Sequence, residues 1–199
     1  PSVAMRIASQ LSLDPLKQGV AEYESLLTKQ NVIMNATGAS GKRVKKVLNE
    51  LNTYSDQTIY SFGNMTDAVQ KFVNAGVPLG QSVTSIKGIA NAAAFAGASS
   101  EEANRAMYAF SQSMSLGFIQ LQDWNQIENA NMGTIKFKNE LLKAGVAAGT
   151  LTKRGNEFIT KSGKAITATK GWRDGLQEQW ATTDVLNTAI HHSRVIGKQ

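Results

Sequence analysis

Few residues in this sequence have the types and spacing that chemistry requires. The two histidines, His191 and His192, are adjacent, and neighbouring side chains on a helix point about 100° apart. They therefore cannot hold one metal ion together as a pair four residues apart could. A Ser-His-Asp triad would have to draw on the same two histidines, and no G-x-S-x-G segment accompanies them. We therefore predict no metal site and no catalytic centre.

A glycine-containing segment, Gly38 to Lys42, has only a faint likeness to a phosphate-binding loop. Two residues separate Gly38 from Gly41, and Arg43 follows Lys42. The phosphate loop needs four intervening residues and a hydroxyl residue after the lysine. The chain also has no cysteine, which excludes disulfides and thiolate-bound metals. We therefore predict no bound cofactor.

The formal net charge is +6, and its local excess lies between Gly145 and Gly175, where only Glu157 and Asp174 oppose the cations. A positive field of this kind attracts an anionic protein wall or nucleic acid. The simpler alternative is a solvated basic face. The predicted contact surface includes six basic residues, which are Lys153, Arg154, Lys161, Lys164, Lys170 and Arg173.

Two tryptophans extend this candidate surface. Trp172, Leu176 and Trp180 recur every four residues, which predicts both indoles on one helical face. An aromatic pair at this spacing is more often core or interface packing than a ligand platform. We therefore add Trp172 and Trp180 to the predicted contact surface.

The clearest helix signals lie in the middle of the chain. Ser99 and Glu102 have the spacing of a capping box, and Gly117 is a natural stop. Asp123 is predicted to cap the short helix that follows and carries Trp124. The apolar stripe between cap and stop consists of Ala103, Ala106, Met107, Phe110 and Met114.

The patterns along the chain predict a mainly α protein, a bundle of short helices with a small β-hairpin insertion near residues 150–169. Threonine and isoleucine content, with turn residues at Gly155 and Gly163, indicates the hairpin or meander. No apolar run approaches the roughly 20 residues that cross a bilayer, and the opening residues lack a signal-peptide pattern. The predicted domains are an N-terminal helix or arm at 1–40, a helical core at 41–148, the hairpin insertion at 149–171 and a C-terminal helix at 172–199.

A series of short segments occurs in a fixed order along the sequence, at residues 60–62, 65–66, 71–77, 89–93, 96–99, 105–112, 123–124 and 127–132. This ordered series resembles one protein family, the tail tape measure proteins of long-tailed phages and prophages. The resemblance covers about residues 46–190, and no comparable run occurs in the first forty or so residues. Such chains are usually much longer, so we expect a fragment or a separately ordered domain.

This resemblance implies a structural, non-enzymatic virion component. Copies of the full chain are expected to lie in the tail interior, template tube polymerisation, set tail length and leave during genome ejection, after assembly in the host cytoplasm. The implied partners are further copies of the chain, tail tube and baseplate or tail-tip proteins, and tail assembly chaperones. Contact with a host membrane would involve parts of the chain not present here.

The residues also leave two other functions open. The alternative is a basic helical nucleic-acid-binding domain, although the cations are dispersed and form no recognition helix, so nucleic acid is not the expected partner. A cell-wall hydrolase module ranks last, because no convergent acid and base residues are found.

Overall fold

The structure, a computed structural model, describes residues 15–196, and side chains over residues 25–193. Residues 1–14, part of the predicted N-terminal arm, lie outside the described residues. The described part of the chain is mainly helical with one small antiparallel sheet, so the predicted fold class is confirmed. Its elements are α1 (Pro15–Thr37), α2 (Gly41–Ser55), α3 (Phe62–Asn74), α4 (Leu79–Phe95), α5 (Ser100–Leu116), α6 (Leu121–Asn129), α7 (Ile135–Ala147), β1 (Thr152–Arg154), β2 (Glu157–Ile159), β3 (Ala165–Ile166), α8 (Trp172–Leu176) and α9 (Thr183–Ile196).

The chain forms two compact units, and the boundary between Val83 and Thr84 falls within α4. In the first unit α1, α2 and α3 pack against one another pairwise. Lys29 on α1 and Asp67 on α3 form an ion pair of 2.7 Å at the edge of this packing. Val44, Leu48 and Leu51 form the buried face of α2, while Lys42 and Lys46 beside them are exposed.

The second unit is built around two helix pairs, α5 with α6 and α7 with α9. The predicted capping box is confirmed at α5. The Ser99 hydroxyl accepts from the Glu102 amide, and the Glu102 carboxylate accepts from the Ser99 amide. Gly117 ends the helix with φ of 102°, a left-handed conformation that glycine adopts without a Cβ clash.

The β segment is a three-stranded antiparallel meander in the order β1-β2-β3. Gly155 and Asn156 form the predicted turn between β1 and β2, with Arg154 paired opposite Glu157. Gly163, at φ of 89°, lies in the turn before β3. The sheet is short, and it gains support because β1 contacts α7 and β3 contacts α8.

Candidate functional site

The six predicted contact cations all lie in the second unit, on exposed positions of the meander and of α8. Lys153 and Arg154 belong to β1, in which every residue is exposed. Charged side chains on an exposed edge strand also discourage unwanted strand pairing. Lys161 and Lys164 occupy the turn between β2 and β3, Lys170 precedes α8, and Arg173 lies within α8.

Two of the six cations are already paired. Arg173 donates to Glu128 at 2.8 Å and also to Asn125. Lys164 lies 3.4 Å from Glu178. Among the residues that the structure describes, the other four, Lys153, Arg154, Lys161 and Lys170, form no ion pair. We call these four residues the meander cations, and they are the positive charge that this face presents.

The two candidate tryptophans are buried, with 4% of Trp172 and 3% of Trp180 exposed. The prediction that both belong to one helix is wrong. Helix α8 ends at Leu176, and Gln179 takes a left-handed conformation with φ of 58° before Trp180 begins the next segment. The two rings nevertheless meet edge to face with centroids 5.6 Å apart, so both pack in the core.

These two indoles belong to a larger group of rings, the aromatic cluster, which links α5, α6, α7 and α8. Trp124 is central, with its ring centroid 5.1 Å from that of Trp172 and 6.3 Å from that of Phe137. Phe137 in turn meets Phe110 at 6.0 Å. Four separate segments of the chain therefore share one apolar contact, which fixes the position of the meander that follows α7.

A polar group closes the solvent side of the aromatic cluster, and it is centred on Glu128. Its carboxylate accepts from Trp124 Nε1 at 2.7 Å and from Arg173 Nη1 at 2.8 Å. Lys138 Nζ lies 3.8 Å from the same carboxylate and 5.4 Å from the centre of the Trp172 ring. Arg173 is thus held as part of the fold, which leaves it less available as an independent contact residue than the meander cations are.

Sequence reasoning missed Glu128 and Lys138, because the ion pairs that Glu128 forms with Lys138 and Arg173 join separate helices. Gly133, close in sequence to both Trp124 and Glu128, is the local residue that indicates a tight contact at this place. A Cβ built there would lie 2.7 Å from Glu128 Cγ and 3.2 Å from Trp124 Cζ2, so only glycine allows this close approach. The glycine therefore marks where the chain passes directly over the Trp124 and Glu128 side chains.

Comparison with known proteins decides the family. The family model described as "Tape measure protein" matches residues 18–184. The chain belongs to the tape measure protein family. The match begins earlier than the resemblance over residues 46–190 and takes in most of α1. No curated protein and no solved structure matches the chain.

Membership of the tape measure family makes the chain a structural component of phage tails. The family is in general structural and non-enzymatic. Within the described part of the chain, no three histidine, cysteine, aspartate or glutamate side chains come together as a metal site would require. Also within residues 15–196, no helix is both long and apolar enough to cross a membrane.

Among the described residues, Asp123 is the buried carboxyl group whose pKa is raised by its surroundings. The prediction that it caps α6 is wrong, because α6 begins after Gln120 and lacks a side-chain cap. The Asp123 side chain instead turns inward, where the Ser113 hydroxyl donates to Oδ2 at 3.4 Å. Burial raises the pKa of Asp123, and the Ser113 hydrogen bond lowers it by a smaller amount.

His191 and His192 lie on the exposed side of α9, with ring centroids 6.4 Å apart. His192 Nδ1 is 3.7 Å from the carboxylate of Glu140, which is buried and also accepts from Lys143 at 3.0 Å. This contact joins α9 to α7. His192 therefore takes part in the packing of these two helices.

Proposed function

We propose that this chain is a folded part of a tape measure protein that works in the tail interior. There the full protein templates polymerisation of the tail tube, sets its length and is released ahead of the DNA during ejection. The family match over residues 18–184 is the observation that carries this proposal. The helical packing supports it, since the second unit is built from contacts between short helices and one small sheet.

The meander cations are proposed as the surface that meets an acidic partner, such as the inner wall of the tail tube or a tail assembly protein. Lys153, Arg154, Lys161 and Lys170 are exposed. Their charges are not neutralised by ion pairs within the described structure. Long-range attraction needs only a complementary field, so a dispersed set of cations can steer assembly without a shaped pocket.

Deletion of the tape measure segment in a phage that encodes it tests the structural role. Electron microscopy of lysates is expected to show no tails, or tails of altered length, with recovery when the intact gene is supplied from a plasmid. Tails of normal length after the deletion would exclude the proposed role.

A charge variant tests the proposed surface separately. Replacing the four meander cations by glutamine lowers the net charge from +6 to +2 and is expected to reduce the yield of assembled tails. The matched control replaces Lys42, Arg43, Lys45 and Lys46 on α2 by glutamine, which removes the same charge from the first unit. Equal loss of tails in both variants would show that only total charge matters.

The nucleic-acid alternative is favoured by the same four unpaired cations. Four phosphate contacts would give a slope of about −3.6 when the logarithm of the binding constant is plotted against the logarithm of salt concentration. Fluorescence anisotropy with a labelled duplex and a single strand measures this slope. Loss of binding in the four-glutamine meander variant, with retention in the α2 control, would favour that alternative.

A further inference from the structure

A polar pocket opens between α5 and α6 in the second unit, on a side of these helices that the aromatic cluster does not occupy. Its volume is about 440 Å³, which is within the usual range of small-molecule sites. The lining side chains all carry hydrogen-bonding groups. Among them are Asn104 and Tyr108 from α5 and Asp123 and Gln126 from α6.

Asp123 brings a buried carboxyl group to this pocket. Only 3% of the residue is exposed, and the hydrogen bond that it accepts from Ser113 is long, at 3.4 Å. Among the residues that the structure describes, no lysine or arginine forms an ion pair with it. Arg105 lines the same pocket but pairs with Glu101 on its own helix. A carboxylate is costly to bury without a cation, so this group favours a positively charged ligand.

Two further groups favour a cation that also donates hydrogen bonds. The Oε1 atom of Gln126 is buried and has no hydrogen-bond partner within the described part of the chain. A buried acceptor of this kind costs free energy until a donor reaches it. The Tyr108 ring lines the pocket and is 58% exposed. The face of an aromatic ring attracts ammonium and guanidinium groups.

We propose that this pocket binds an organic cation, whose ammonium or guanidinium group donates to the carboxylate of Asp123 and to Oε1 of Gln126. These two residues are three positions apart on α6, so they lie on the same face of the helix. Each cation has several N–H donors, so one group can serve both acceptors. Within residues 15–196 no three acidic or histidine side chains meet as a metal ion requires, so a hydrogen-bonding cation suits the pocket better.

Titration followed by nuclear magnetic resonance measures this binding on the whole 199-residue chain. The probes are putrescine, which is a free diamine, and a blocked arginine amide, which represents the side chain of a partner protein. Each is compared with an uncharged analogue, the diol of the same length and the corresponding citrulline derivative. The cations are expected to shift amide signals of α5 and α6 saturably, and the tighter one identifies the source of the ligand. Shifts that do not saturate, or equal shifts from the uncharged analogues, would overturn the proposal.

Two substitutions assign the binding to this pocket. Asp123→Asn preserves the size of the side chain and is expected to weaken cation binding about tenfold, because a charge-assisted hydrogen bond is lost. The matched control is Asp174→Asn, which removes the same charge from an exposed position on α8 that does not line the pocket. An equal effect of these two substitutions, or unchanged binding in Asp123→Asn, would refute the site.

Gln126→Leu provides an independent measurement that leaves the buried carboxyl group in place. It removes the unpartnered acceptor and is expected to weaken cation binding severalfold, while circular dichroism shows that the helices remain intact. Cation affinity equal to that of the wild type in this variant would contradict the proposed contact. These measurements use purified protein, so their outcome is independent of the tail-length experiment.

Discussion

The three tryptophans of the chain provide a sharp test of the packing in the second unit, because their indole N–H groups differ in hydrogen bonding. Trp124 donates its indole N–H to Glu128 at 2.7 Å. The indole N–H groups of Trp172 and Trp180 are buried and have no hydrogen-bond partner among the residues that the structure describes. Replacing each tryptophan by phenylalanine removes the N–H in all three cases but removes a hydrogen bond only at Trp124.

The expected magnitudes follow from this difference. Loss of a hydrogen bond to a charged group costs about 1.5 kcal/mol at the low end of the usual range. Phenylalanine also leaves part of the indole space empty, which costs about 1–2 kcal/mol. Trp124→Phe is therefore expected to destabilise the second unit by about 3 kcal/mol. The low end is appropriate because Arg173 and Lys138 still contact the Glu128 carboxylate.

At Trp180 the two effects oppose each other. The same partial cavity costs about 1–2 kcal/mol, but an unsatisfied buried N–H, itself costing about 1–3 kcal/mol, is removed. Trp180→Phe is therefore expected to have an effect between about 1 kcal/mol of destabilisation and about 2 kcal/mol of stabilisation, with a net change near zero at the middle of the two ranges. Trp172→Phe should fall between the two, because it also weakens the contact with Lys138, worth about 0.5–1 kcal/mol.

Urea unfolding followed by tryptophan fluorescence measures the right transition. All three tryptophans lie in the second unit, so their emission reports that unit alone, and each variant retains two of them. With slopes of about 1–3 kcal/mol/M, Trp124→Phe should lower the urea midpoint by about 1–3 M relative to Trp180→Phe. An equal or larger loss at Trp180 would show that the hydrogen-bond assignment does not control stability.

Three further predictions concern the pH response, close packing and the state inside the tail. Burial raises the pKa of Asp123 in the folded state. Ionising this side chain therefore lowers the stability of the wild type as pH rises from the unfolded pKa through the folded pKa. The stability of Asp123→Asn relative to wild type should increase over the same pH range. Hydrogen bonds from Ser99 lower the pKa of Glu102. The stability lost in Glu102→Gln relative to wild type should therefore be complete above the unfolded pKa and should disappear as pH falls through the lower folded pKa, and chemical denaturation across a pH series checks both trends. Gly145→Ala should destabilise the second unit by about 1–3 kcal/mol in the same urea assay. A Cβ there would lie 2.8 Å from Leu151 Cδ1 and 3.1 Å from the Trp180 ring, and both side chains are buried, which limits how far they can move. If the helices rearrange inside the tube, hydrogen exchange should differ between the free chain and intact tails, and identical protection would exclude rearrangement.

The features that the sequence predicted well are the ones encoded within a few residues. The Ser99 and Glu102 capping box needs only a separation of three positions, and Gly117 ends its helix because glycine adopts a left-handed conformation freely. The turn at Gly155 and Asn156 is similarly local. Each of these signals depends on backbone conformation, which neighbouring residues determine before any distant contact forms.

The features that it missed depend on long separations. Trp180 follows Trp172 at helical spacing, yet the helix ends between them and the rings meet through the fold. Asp123 has the residue type of a cap, but its side chain is drawn to Ser113 on the neighbouring helix. Glu128 and Arg173 are 45 positions apart, and no periodicity connects them. Such pairs form because helices dock, which local propensity does not determine.

The meander cations give the proposed contact surface a definite response to salt. A contact made by these cations weakens as salt rises, because screening shortens the range of charge attraction to about 8 Å at physiological ionic strength. If tails assemble through this contact, assembly yield should fall steadily as salt concentration rises.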